Sequence, residues 1–207
     1  AIDEQKLADA LTKMVNAHSY LLTKVYLNSD GEMVQSPGED KFIPKIIKTT
    51  NSEFEALKEN LVRPFKLEKG RLFRAEIYLT EDKKYLFTDF HHIIADGNSY
   101  DIIFEDINKA YCGEKLESEI YTGFDAALDE EQQMKEGKYK KAEKYYDSVF
   151  EGVETESLPL PDISGKTPEK GITSREVNIP EEKIRAYCEK VGVTPNTLFT
   201  GLFGILA

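Results

Sequence analysis

Hydrophobic residues in this chain recur first at helical spacing, then at every second position, then at helical spacing again. Leu7, Leu11, Met14 and Val15 stand at i, i+4, i+7 and i+8, which predicts an amphipathic helix over residues 3–16. Residues 20–27 read as a strand, followed by a turn at Ser29-Asp30-Gly31-Glu32 and an extended run over 41–48. Ser52 and Glu55 have the spacing of a capping box, opening a helix that carries Phe54, Leu57 and Leu61 and stops near Pro64. Residues 71–80 alternate, with Phe73, Ala75, Ile77 and Leu79 on one face and Arg74, Glu76 and Tyr78 on the other. Glu81-Asp82-Lys83-Lys84 supplies a turn, so residues 85–92 return antiparallel.

Helical spacing resumes over residues 99–111, with Tyr100, Ile103, Phe104, Ile107 and Tyr111 on the buried face and Gly113 past the end as C-cap. Residues 118–150 read as two helices. Residues 154–171 hold Pro159, Pro161 and Pro168 and read as a long surface connection. A strand is expected over 172–179, then a helix over 181–190 that starts after Pro180 and stops at Gly192. From Leu198 to the end the chain is apolar nearly all round, which predicts a helix buried on most sides. The chain stops inside that helix, so it reads as a fragment: residues 1–193 form one lobe, and 194–207 lead into a second lobe that is missing.

Bulk properties narrow the picture. The chain has 207 residues, 40% hydrophobic and 31% charged, which suits a folded globular unit. A net charge of −11 argues against nucleic acid or an anionic membrane as partner. Cys112 and Cys188 are far apart with no CxxC, as expected for reduced thiols. No signal peptide and no apolar run of spanning length is read, so a cytoplasmic location is the expectation. The lysine-rich run from Lys135 to Lys144 reads as a solvated helix face, with docking of an acidic carrier as the alternative.

The candidate chemistry lies between the second strand of the hairpin and the helix that follows. His91, His92, Asp96 and Gly97 crowd a strand–turn–helix junction. In an extended strand His91 and His92 would point to opposite faces, one toward structure and one toward a cavity. Asp96-Gly97 suits a tight turn, and Asn98 or Ser99 can cap the helix. A histidine beside free helix N–H groups is placed to handle a proton and stabilise an oxyanion. Metal binding by His91, His92 and Asp96 is disfavoured by the opposed faces, so no metal is expected.

The stretch HHIIADG resembles the HHxxxDG signature of condensation domains of nonribosomal peptide synthetases, within the chloramphenicol acetyltransferase-like superfamily. Further upstream, His18, Leu21 and Thr23 match a segment of the form RHExLRTxF, with Leu22 standing where the family has arginine. Downstream, Tyr121 and Phe124 resemble a YxDYA segment, with Gly123 in place of aspartate. The resemblance implies an α/β fold, an α+β sandwich in which a mostly antiparallel mixed sheet is covered by helices. It covers most of this chain and the first half of the family's domain.

By analogy, the intact enzyme joins a donor thioester to an acceptor amine, both carried on phosphopantetheine of partner carrier domains, and binds no cofactor of its own. His92 matches the histidine that acts as general base or orients the amine, and Gly97 leaves room for the tether and offers an N–H. His91, Asp96 and Ser99 are expected to be structural. Because the arginine is missing, Arg74 is the expected partner of Asp96; a surface arginine is the alternative. The implied partners are donor and acceptor carrier domains, the missing lobe and an adjacent adenylation domain. Two other functions stay open: an acyltransferase that uses coenzyme A, and a non-catalytic lobe that only binds a carrier.

Overall fold

The computed structural model describes residues 2–153, 174–176 and 178–206. These fall into two compact units, residues 1–142 and 143–207. In the first unit Asp3 caps α1 (Glu4–Ala17) by accepting the Lys6 N–H at 2.9 Å. Residues 20–27 do not form one strand. A 3-10 turn (Ser19–Leu22) comes first, and β1 (Lys24–Leu27) follows, pairing antiparallel with β2 (Met33–Ser36). β2 carries little sequence signal because its burial is slight and its Met-Val-Gln-Ser run barely alternates.

The main sheet has the order β3-β4-β5, with β3 (Lys45–Lys48), β4 (Phe73–Leu79) and β5 (Lys84–Phe90). β3 runs parallel to β4 and β5 antiparallel, so the sheet is mixed as expected. α2 (Asn51–Lys58) crosses between β3 and β4, and its capping box uses Thr50 and Glu53 rather than Ser52 and Glu55. The earlier start turns Phe54 inward, where it stacks on Tyr85 at 4.2 Å and meets Tyr78 at 5.1 Å, while Leu57 is exposed.

α3 (Gly97–Cys112) packs on α1, and both cover one face of the sheet. Leu11, Met14 and Val15 of α1, Ile103 and Ile107 of α3, and Phe73, Ala75 and Ile77 of β4 share a single core with Leu72 and Phe90. Each fully buried large side chain here stabilises by about 1.5–3 kcal/mol. Phe104 is 44% exposed, because the buried stripe of α3 continues through Ala110 instead. Gly113 ends the helix at φ 93°, donating its N–H to Ala110 O at 3.1 Å. The first unit also holds α4 (Gly123–Lys135), and α5 (Lys140–Phe150) begins in it and ends in the second.

In the second unit, α6 (Glu181–Val191) packs against α7 (Pro195–Leu206) and buries Cys188. The apolar residues Phe199, Leu202, Phe203 and Ile205 of α7 are exposed, contrary to burial on most sides. The connection at 154–171 lies outside the described residues. So do residues 172, 173 and 177 of the strand expected over 172–179, and its described residues Ser174, Arg175, Glu176, Asn178 and Ile179 are not in a strand.

Candidate active site

β5 ends at Phe90, and residues 92–94 form a turn rather than continuing the strand. The His91 N–H donates to Leu72 O at 2.8 Å, and the Ile94 N–H returns to His91 O at 3.0 Å. Both histidines therefore lie past the strand, and opposition of faces within a strand does not separate them. The turn separates them instead. His91 Nδ1 accepts the Ile93 N–H at 3.1 Å, and its ring meets Phe65 edge-on at 5.8 Å between centroids. Because Nδ1 accepts, a neutral His91 carries its proton on Nε2. His92 is exposed, while Ile94 and Ala95 bury their side chains in the core and anchor the turn.

Asp96, rather than Asn98 or Ser99, caps α3. Its Oδ1 accepts the Ser99 N–H at 2.9 Å and the Ser99 hydroxyl at 2.7 Å, and the Asp96 N–H donates to Ser99 Oγ at 3.1 Å. This is a reciprocal capping box with serine at the third helical position. The Ser99 hydroxyl, followed by the Ser99 amide, holds the Asp96 carboxyl below its ordinary value. Gly97 is the first helical residue and has no positive φ, so the tight turn expected at Asp96-Gly97 is absent. A Cβ at Gly97 would meet nothing within 4 Å, which leaves open space beside the turn.

Arg74 does not reach Asp96. It pairs with Asp89, which the β4–β5 register places directly opposite on the same face. The guanidinium also donates to Arg63 O at 2.8 Å and Pro64 O at 3.2 Å, and lies 3.8 Å from the Phe65 ring centre. Phe65 is thus held between Arg74 and His91. Spacing along the chain misses Asp89 because it puts the hairpin turn at 81–84. A turn closed by Thr80 and Lys83, as the Thr80 N–H to Lys83 O bond shows, brings Arg74 opposite Asp89. Asp96 needs no cation: it is exposed and satisfied by the helix N-terminus.

His18 forms the second constellation. Its Nε2 lies 2.9 Å from Asp106 Oδ2 and its Nδ1 2.7 Å from Glu119 Oε1. Both ring nitrogens therefore face a carboxyl oxygen. Burial pushes the Asp106 carboxyl up, but the hydrogen bonds from His18 and Lys109 outweigh it and the net shift is downward. The Glu119 N–H donates to Ala17 O at 3.0 Å, so the end of α1 is tied both to α3 and to the segment before α4. A cavity of about 90 Å³ lies beside this node and reaches Ile94 and Ser99. Residues 88 and 101 positions away complete the node, a separation that carries no sequence signal.

The departure at Gly123 also has a local cause. The Tyr20 ring lies against the Gly123 backbone, and a Cβ there would fall inside van der Waals distance of three ring carbons. Tyr20 is held in that place by a hydrogen bond to Gln35 at 2.9 Å and an edge contact with Phe124 at 4.9 Å. Among the described residues, no group of three or more His, Cys, Asp or Glu is placed to hold a metal ion. None of the described helices is long and apolar enough to cross a membrane.

The HHIIADG stretch thus forms the link from β5 to α3, with both histidines past the strand and Asp96 as the helix cap. The chain belongs to the condensation domain family, whose sequence profile matches residues 1–206. It is 32% identical over 164 residues to surfactin synthase subunit 2 of Bacillus subtilis (strain 168), covering 78% of this chain and 4% of that protein. The chain therefore spans a small part of that relative. The condensation domain from the monacolin K polyketide synthase MokA superposes with a TM-score of 0.74 at 19% identity, over 100% of this chain and 51% of that one. The epimerization domain from the third module of tyrocidine synthetase B gives 0.63 at 21% identity, over 77% and 39%. These two likenesses establish the chloramphenicol acetyltransferase-like fold.

Proposed function

We propose that this chain is the signature-bearing lobe of a peptide synthetase condensation domain. The domain forms an amide between a donor acyl thioester and an acceptor aminoacyl amine, both tethered to carrier domains through phosphopantetheine. His92 is the observation that carries this reading: it is exposed, lies just past the end of β5, and precedes the open space beside Gly97. A ring so placed can accept a proton from the attacking amine, or orient that amine, without leaving water. The N-terminus of α3 lies next to it and offers N–H groups to a developing oxyanion. His91, held by Phe65 and the Ile93 amide, and Asp96 and Ser99, locked in the cap, fix the turn that presents His92. Arg74 acts on the same turn through Phe65.

In this reading the domain binds no cofactor itself, and its partners are the two carrier domains, the second lobe and a neighbouring adenylation domain, in the cytoplasm. Replacing His92 by Ala in the complete synthetase, loaded with both substrates, is expected to lower amide yield by about 10²–10⁴-fold. Unchanged yield with correctly folded protein would refute the catalytic assignment. A second reading, a lobe that binds a carrier domain without catalysis, draws on Leu22 and Gly123 replacing two charged residues of the family pattern. It predicts that the same variant retains carrier binding and product formation alike.

A further inference from the structure

A second recess sits on the open edge of β4. β3 begins opposite Glu76, so among the described residues Phe73, Arg74 and Ala75 have no strand on that side, and a cavity of about 210 Å³ occupies the gap. Phe42 and Phe73, packed at 5.0 Å between ring centroids and almost fully buried, border it where the core reaches the sheet edge. Arg63, Arg71 and Lys45 supply cations, in a chain whose net charge is −11. The acids beside them are already engaged. Asp89 pairs with Arg74, and Glu76 accepts the Tyr78 hydroxyl at 2.7 Å with Lys45 at 3.7 Å. Among the described residues, no carboxylate lies within ion-pair distance of Arg63 or Arg71.

Arg71 is positioned before any ligand arrives, and Arg63 is anchored by its backbone. Arg71 lies over the Phe42 ring at 5.4 Å, and its described hydrogen bonds, to Asp40 O and Lys41 O, run through Nη2. Its Nε and Nη1 keep donors, each for a single contact. The backbone carbonyl of Arg63 is fixed by Arg74 at 2.8 Å. Two arginines lining one recess, one of them over an aromatic ring, suit an anion with several oxygens and an apolar stem. We propose that this recess binds a phosphate ester, with the phosphate between Arg63 and Arg71 and its organic part on Phe42 and Phe73. The recess lies at the end of the sheet that carries the histidine turn, since Phe73 pairs with Phe90. Its assignment does not rest on the condensation reading.

The test is an amide chemical-shift titration of the ¹⁵N-labelled chain with phenyl phosphate, inorganic phosphate and benzoate. Phenyl phosphate is expected to shift Arg63, Arg71 and Phe73 saturably and to bind more tightly than the other two. Arg63→Gln, at an exposed side chain with no ion-pair partner among the described residues, is expected to weaken phenyl phosphate about tenfold, as loss of one charge-assisted contact does. Lys135→Gln on α4 is expected to change nothing. No saturable shift, equal affinity for benzoate, equal affinity for inorganic phosphate, or unaltered binding to Arg63→Gln would each overturn the proposal. Adding 4′-phosphopantetheine separates the sources, and both outcomes uphold the recess. Tighter binding than phenyl phosphate identifies a carrier arm, and weaker binding a free phosphorylated compound.

Discussion

Replacing Arg74 by Ala removes the cation that holds Asp89, the 63–64 backbone and the Phe65 ring in one arrangement. Removing one member of a fully buried ion pair costs about 3–5 kcal/mol, whereas exposed pairs contribute about 0.2–1 kcal/mol. The side chains of Arg74 and Asp89 are 17% and 16% exposed, so this pair falls nearer the buried limit. We assign it about 2–3 kcal/mol on that scale. Loss of the guanidinium from the Phe65 face adds about 1 kcal/mol. The carbonyls of Arg63 and Pro64 are reached by water and recover their hydrogen bonds, so they add little. The expected loss is about 3–4 kcal/mol, read as a lowered midpoint in urea unfolding followed by far-UV circular dichroism. Adding Asp89→Ala to Arg74→Ala is expected to restore about 1 kcal/mol or more, because it removes the orphaned carboxylate. A single-variant loss below about 0.5 kcal/mol, or a double variant worse than Arg74→Ala, would refute the account of the pair.

Two further outcomes follow from the site. Asp96→Asn keeps a capping side chain but removes the titrating group. The Asp96 carboxyl is held low in the folded chain, so the stability it adds is present above the unfolded value near about 3.9 and is lost as pH falls through the lower folded value. The gap in unfolding temperature between wild type and Asp96→Asn should therefore shift steadily against wild type on acidification below about pH 4; a constant gap refutes the capping account. Gly123→Ala should displace the Tyr20 ring and break its bond to Gln35, costing about 1–2 kcal/mol. Tyr20→Ala should relieve the clash, and equal effects of Gly123→Ala in both backgrounds would count against it.

Local periodicity and composition are enough to place α1, the β4–β5 hairpin, α3 and the histidine turn in order, because each is specified by spacing within a few residues. The HHxxxDG resemblance is legible for the same reason, since all of it lies within residues 91–97. Short and weakly buried pieces are harder to read: β2 barely registers, and spacing alone puts the first capping box two residues late. The partner of Arg74 depends on strand register, which a shift of the turn by one residue alters. A buried Asp96 would need a cation, but folding leaves it exposed at a helix N-terminus. His18 finds Asp106 and Glu119 only when α1, α3 and the segment before α4 are brought together. The kinds of residue available for chemistry are thus written in the chain by itself. Which charges pair, and which side chain is left facing water, is decided by packing, because electrostatic partners depend on distance in space while sequence patterns report only local geometry.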